Sequence, residues 1–195
     1  MTGRPVKHSL SLRGHRTSVS LEEAFWNEFR DIAKAEACAK KASLELGIPV
    51  SATTDGRDAA ATADIIVTTT PAREPVLMAD WVQPGTHVTA MGSDAEHKNE
   101  IDPALIGQAD LYVSDSQAQT RILGELHHAI DAGIVAADAA LPELGQIIAK
   151  SLTGRTSAGQ ITVCDLTGTG VQDTAIATLA RHRCDAAGAG VEINS

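Results

Sequence analysis

Four apolar, β-branched runs stand out along the chain, and each stops in polar or glycine-rich residues. Residues 64–70 (DIIVTTT) run into Pro71, and residues 86–92 (THVTAMG) into Ser93 and Asp94. Residues 111–115 (LYVSD) run into Ser116 and Gln117, and residues 161–167 (ITVCDLT) into Gly168, Thr169 and Gly170. A strand at 48–54 and a short helix at 57–63 come before them. Helical patterns at 75–82, 102–109, 116–131, 141–151 and 171–184 lie between and after the runs, with Pro71, Pro75, Pro84, Pro103 and Pro142 at element ends. Buried-type strands alternating with helices predict an α/β fold with a parallel sheet and crossover helices. In such a sheet the ligand lies beyond the carboxyl ends of the strands, where the four polar loops would gather.

The start of the chain has a different rhythm. Residues 4–21 (RPVKHSLSLRGHRTSVSL) alternate apolar and polar and turn at Arg13, Gly14 and His15, the pattern of a short basic β-ribbon. Ser20 and Glu23 form a capping-box pair ahead of a helix with Leu21, Phe25, Trp26, Phe29 and Ile32 on one face. The helical pattern continues to Gly47, a good C-cap. A single helix over 21–46 is longer than usual, so two pieces joined near residues 30–34 are expected.

At 195 residues the chain can hold one full core and a small appendage. Aromatics are 3%, too few for a base-stacking surface. The net charge of −9 is uneven: Arg4, Lys7, Arg13 and Arg16 make the first 21 residues +4, leaving −13 for the rest. An acidic body is a poor nucleic-acid binder, and the ribbon is the segment that attracts phosphate. Cys38, Cys164 and Cys184 lack CxxC spacing and read as buried free thiols in a reducing compartment. With no secretion signal or 18-residue apolar run, a cytoplasmic protein without a membrane partner is expected.

Candidate chemistry concentrates at the strand ends. Asp94 lies in a loop with Lys98 near it, where a proton-transferring group would act; an Asx turn or helix cap explains it equally well. Asp94, Glu96 and His97 have metal-ligating side chains, but three near-neighbours in one loop rarely aim at one ion, and no metal is assigned. Thr167, Gly168, Thr169 and Gly170 precede a helix and allow close backbone approach by an anion; a plain strand-to-helix turn explains them as well. His127 and His128 point about 100° apart on a helix, which predicts a surface helix with one half-buried histidine. Residues 155–157 (RTS) suit an anion loop or a turn before a strand. GxGxxG, GxSxG, P-loop and zincin motifs are absent from the chain.

Taken together, residues 34–195 resemble the Rossmann part of the ornithine cyclodeaminase/μ-crystallin family. The stretches that carry the resemblance are ADIIVTTTPAREPVL, PGTHVTAMGSDAEHKNEIDPALI, GEL at 124–126 and GRTSAGQITVCDLTGTGVQD. GSDAEHKNEID, GELHHAIDAG and DLTGTGVQD look most like the ectoine-utilisation branch. The resemblance implies an NAD-dependent lyase or oxidoreductase that deaminates and cyclises an amino acid or reduces an imine. It implies a small amino-acid or imine substrate and a homodimer. It matches Asp94 to the family's catalytic aspartate, and Thr69, Thr70, Pro71, Gly92, Ser93 and Thr167 to Gly170 to segments lining the cofactor. The family's substrate and dimerisation domain, and its strand, GxGxxG turn and helix, have no counterpart here. Weak or absent NAD binding, and impaired turnover by this chain alone, are therefore expected.

Residues 4–33 instead resemble the ribbon and first helix of a ribbon-helix-helix protein. The expected division is an N-terminal segment, 1–33, and a partial NAD-binding domain, 34–195. The alternative function is DNA binding or dimerisation through the ribbon, with Lys7, Arg13 and Arg16 meeting phosphate.

Overall fold

The computed structural model describes residues 7–12, 15–20 and 32–191, with side chains from residue 36 onward. Arg13, Glu23 and the aromatic stretch at 21–31 lie outside the described residues, as do the side chains of Lys7 and Arg16.

The sheet has seven strands in the order β3-β1-β2-β4-β5-β7-β6. They are β1 (Lys7–Leu12), β2 (His15–Ser20), β3 (Val50–Thr53), β4 (Ile65–Thr68), β5 (His87–Ala90), β6 (Leu111–Ser114) and β7 (Thr162–Asp165). The four signature strands pair in parallel, with Thr68 opposite Ala90, Ala90 opposite Asp165, and Ser114 opposite Asp165. Their carboxyl ends, and the loops through Pro71, Asp94, Gln117 and Gly168, therefore share one edge, as the sequence pattern predicts.

In chain order the ribbon comes first; in space it is built into this sheet. β1 and β2 pair antiparallel with Lys7 opposite Ser20, β1 pairs antiparallel with β3, and β2 pairs parallel with β4. β1 is thus the one strand running against the others. The start of β1 and the end of β2 both lie on the edge where β4 to β7 terminate.

Seven α-helices are described: α1 (Ile32–Leu46), α2 (Gly56–Ala61), α3 (Pro103–Gln108), α4 (Gln117–Thr120), α5 (Glu125–Asp131), α6 (Leu144–Ile148) and α7 (Gly170–Ala187). Ile66, Val88, Tyr112 and Val163 from one sheet face pack with Leu77, Ile101, Leu105 and Leu126 into the main core. Burying such aliphatic side chains stabilises the fold by about 1.5–3 kcal/mol each.

Three helical expectations are revised. Residues 75–82 hold only a 3₁₀ turn, Ala79–Trp81. Ahead of it the chain is held extended: the Val76 and Leu77 N–H groups donate to the Glu100 carbonyl, and Leu77 bridges Ile101 in parallel. The 116–131 pattern splits into α4 and α5 at Gly124, whose backbone is extended (φ −68°, ψ −168°). The 141–151 pattern shortens to α6, beyond which Lys150 adopts φ +59°. The thiol expectation is also corrected: Cys164 is buried, Cys38 half-buried and Cys184 exposed, because Cys184 lies on α7, which buries none of its residues.

Candidate active site

The rim beyond β4, β5 and β7 is assembled by buried carboxylates. Glu100, fully buried, accepts hydrogen bonds from the Thr68 hydroxyl at 2.7 Å, the Gly92 N–H at 2.7 Å and the Thr70 N–H. A Cβ at Gly92 would overlap the Thr70 carbonyl oxygen and the Glu100 carboxyl, so the two loops meet where only glycine fits. Behind Glu100, the Glu125 carboxyl at the start of α5 accepts from the Glu100 N–H at 2.8 Å. Asp165, at the end of β7, accepts from the Tyr112 hydroxyl at 2.7 Å and the Leu126 N–H at 3.1 Å. Its other oxygen, Oδ1, and the Ser114 Oγ have no partner, and the two residues are opposite each other on adjacent strands.

Burial dominates the electrostatics of this cluster. Desolvation raises the Glu100 and Glu125 carboxyls above the usual range, Glu125 further because the Asp165 charge lies near it. Desolvation pushes Asp165 up to about 6, against the hydrogen bonds that favour its charged form. The Tyr112 phenol is raised by burial and by the same Asp165 carboxylate.

Asp94 is on the exposed side of the rim, and its carboxylate accepts from Lys98 Nζ. The loop that carries it is pinned at several points. The buried Ser93 hydroxyl donates to the Lys98 carbonyl at 2.6 Å. His127 Nε2 lies 2.9 Å from the Glu96 carbonyl oxygen, and His128 Nε2 2.7 Å from that of Lys98. Both histidines are half-buried and both clamp the loop, where the sequence predicts one half-buried histidine. Among the described residues no group of three His, Cys, Asp or Glu is arranged to hold a metal, so Asp94, Glu96 and His97 do not converge.

The remaining predicted positions divide by how their polar groups are used. Thr70 is buried and its hydroxyl accepts from the Ala72 N–H at 3.3 Å; Pro71 is half-buried. The Thr69 hydroxyl is buried and has no partner. On the β7 loop the N–H groups are already engaged. Asp115 accepts from Thr167 N at 3.0 Å and Gly168 N at 2.9 Å, while the Gln172 side chain accepts from Thr169 N at 2.9 Å. Gly168 adopts φ +79°, which glycine allows, and Gly170 is the exposed first residue of α7. Arg155 is likewise occupied, donating to the Gly85 carbonyl at 2.7 Å and the Thr162 hydroxyl at 3.1 Å, so its loop is a structural turn.

A cavity of about 460 Å³ lies elsewhere, on the sheet face away from the main core, between Thr89, Val113, Ile147, Arg155 and Cys164. It contains none of the predicted site residues. Burial and the Arg155 charge lower His87 there, and burial pushes the Cys164 thiol up to about 11, which keeps the thiol protonated and unreactive at neutral pH. The rim therefore remains the candidate site.

Sequence reasoning missed Glu100, Asp115 and Asp165. The signal for Asp165 is its alternation with Val163, which places a carboxylate on the core face of β7. A charge at such a position needs partners, and so marks a node of the structure.

Comparison with known proteins identifies relatives of the chain. Residues 26–188 match the family model described as the ornithine cyclodeaminase/mu-crystallin family, and residues 5–45 match a ribbon-helix-helix domain. An uncharacterized cyclodeaminase of Sinorhizobium fredii is 61% identical over 161 residues, covering 83% of this chain and 49% of that protein. The iminosuccinate reductase of Paracoccus denitrificans, solved in complex with NAD+, superposes with a TM-score of 0.71 at 36% identity, over 80% of this chain and 47% of the other. An archaeal alanine dehydrogenase dimer with bound NAD gives a TM-score of 0.73 at 28% identity, over 95% of this chain and 62% of the other. The chain spans about half the length of the curated relatives it matches.

Proposed function

We propose that this chain, which belongs to the ornithine cyclodeaminase/mu-crystallin family, forms the nicotinamide side of an NAD-dependent amino-acid deaminase or imine reductase. The observation that carries the reading is the meeting of Thr69 to Pro71, Gly92 to Asp94 and Thr167 to Gly170 on one sheet edge, with Asp94 facing solvent beside Lys98. The finer reading, a cyclising lyase of ectoine degradation acting on a small amino acid as a homodimer, rests on the wording of residues 92–102, 124–133 and 165–173.

The residues fit the nicotinamide end of the cofactor better than its pyrophosphate. The half-buried backbone at Pro71 and Gly92 and the exposed Asp94 lie where a ring over the ends of β4 and β5 would meet the protein. When bound, the nicotinamide would supply hydride exchange with the substrate carbon. Asp94 would move the accompanying proton, with the Lys98 ammonium donating a hydrogen bond to its carboxylate. For the pyrophosphate the chain has no GxGxxG turn, and the N–H groups of Thr167, Gly168 and Thr169 are engaged by Asp115 and Gln172. NAD binding in the millimolar range or weaker is expected. A micromolar dissociation constant by calorimetry would show that another segment cradles the phosphates.

Asp94→Asn keeps the size and turn-forming ability of the side chain and removes proton transfer. Imine reduction followed at the NADH absorbance should fall by roughly 10²–10⁴-fold with little change in melting temperature. An unchanged rate would take Asp94 out of the role.

A second reading, DNA binding by the ribbon, is favoured by the match over residues 5–45. Ribbon-helix-helix proteins build their ribbon from two chains. Here both edges of both ribbon strands are taken within one chain, β1 by β2 and β3, β2 by β1 and β4. Only weak, salt-sensitive binding is expected of Lys7, Arg13 and Arg16. A nanomolar, sequence-selective gel-shift complex at physiological salt would reverse this preference.

A further inference from the structure

We infer that Glu100 is a positioning residue of the rim: its single buried carboxylate ties the loop after β4 to the loop after β5, and so sets where Asp94 stands. The inference rests on the reading of this rim as the nicotinamide site. Three donors converge on one side chain, one from the end of β4 and one from each of the loops after β4 and β5. Oε1 takes the Thr70 N–H, while Oε2 takes the Gly92 N–H at 2.7 Å and the Thr68 hydroxyl at 2.7 Å. Two residues beyond Gly92 is Asp94. The backbone of Glu100 is equally committed, its carbonyl accepting from Val76 at 2.8 Å and Leu77 at 3.1 Å, and its N–H donating to Glu125 at 2.8 Å. The Glu100 backbone is therefore anchored both to the far end of the loop after β4 and to α5, which gives the carboxylate leverage to fix how the two strand ends stand to each other.

The two backbone partners are N–H groups, which can only donate. The charged carboxylate satisfies all three donors at once, and a neutral side chain cannot. In Glu100→Gln one position must carry an amide NH₂. If it faces Thr70, the loop after β4 loses its tie. If it faces Gly92, the loop after β5 loses its tie while the Thr68 hydroxyl turns to accept, so either orientation keeps two bonds and loses one backbone donor. The substitution should accordingly free one of the two loops and break the tie between them.

The test has an arm that needs neither variant nor cofactor. In the wild-type protein, the Thr70 and Gly92 amide proton resonances should titrate in acid with one shared midpoint, because both report the same carboxyl. Glu125, which faces Glu100 from α5, and Asp165 behind it also titrate, so their Gln and Asn variants serve to assign the step. Distinct midpoints, or no shift at either amide, would overturn the tie.

Amide exchange in Glu100→Gln should then rise about tenfold or more at Thr70 or at Gly92 to Asp94, according to which loop the new amide group faces. Equal loosening throughout the sheet would reduce Glu100 to a general stabiliser. Finally, Glu100→Gln should lower the imine-reduction rate about tenfold or more with intact Asp94, and have little further effect with Asp94→Asn, since a misplaced loop acts through that carboxylate. Additive losses would refute the positioning role. Absence of any turnover in the wild type, even with NADH in millimolar excess, would refute the function proposed for the rim while the exchange and titration results still judge the tie.

Discussion

Helices α5 and α7 both begin at the carboxyl edge of the sheet, and they relate to the rest of the molecule in opposite ways. α5 has seven residues, of which Glu125, Leu126 and Ala129 are buried. Its first turn donates to Asp165 and accepts from Glu100, and its two histidines reach the Asp94 loop. α7 has 18 residues and none of them is buried, with Val171, Ile176 and Leu179 exposed at 74%, 62% and 46%. A short helix in isolation is marginal in water, so α5 exists because of what it touches. α7 is supported instead by its length, a capping box between Thr169 and Gln172, and Gly188 in the left-handed conformation at its end. Length and propensity make a helix; tertiary ties give it a place in the site.

The contrast breaks most sharply on one residue type. Leu126→Ala, at a fully buried position, should cost about 2–5 kcal/mol in chemical denaturation. Leu179→Ala, at 46% exposure, should cost less than about 0.5 kcal/mol. Similar losses at the two sites would mean that α7 is packed in solution after all.

Next in size is a pH effect confined to the α5 side. Asp165 is raised from 3.8 to about 6 in the folded protein, so the fold holds its proton more tightly than the unfolded chain does. Its contribution is full below the unfolded value and lost as pH rises through about 6, a change of order 3 kcal/mol. Asp165→Asn removes the titration, and its amide can donate to the unpartnered Ser114 hydroxyl. Melting curves from pH 4 to 8 should show a flatter profile for the variant, with its largest gain over wild type at pH 8. An equally steep profile would assign the pH dependence to Glu100 and Glu125.

A glycine pair sharpens the comparison further. Gly92→Ala forces a methyl group against the Thr70 carbonyl and the Glu100 carboxyl and should cost about 1–3 kcal/mol. Gly170→Ala meets nothing within 4 Å and should be neutral or stabilising by up to about 1 kcal/mol. The smallest effect belongs to the Arg181–Asp185 pair of α7, 3.7 Å apart with both side chains mostly exposed. Arg181→Ala should move stability by no more than about 0.5 kcal/mol and lose even that in high salt.

The same division marks what was legible in the residues alone. The strand ends at Pro71, Asp94, Gln117 and Gly168 could be placed on one edge because a parallel sheet with crossover helices puts successive carboxyl ends together. Asp94 could be singled out because its loop follows such a strand. The shortened helices could not: the 75–82 pattern is helical by spacing, yet the Glu100 carbonyl holds its first part extended from 23 or more residues away in sequence. Nor could the fate of the ribbon, since alternation fixes which residues share a face and leaves the neighbouring strands open.

By itself the sequence determined the α/β class, the order and limits of β4 to β7, the basic ribbon, and the polar residues at each strand end, because periodicity and turn chemistry are local properties of the chain. Only the tertiary structure decided that the ribbon enters the sheet between β3 and β4, that Asp115 and Gln172 occupy the N–H groups of the β7 loop, and that Glu100, Glu125 and Asp165 hold the rim from beneath. The physical reason is that a carboxylate reads the same in a sequence whether water or protein solvates it. Burial decides which, and burial comes from residues far apart in the chain.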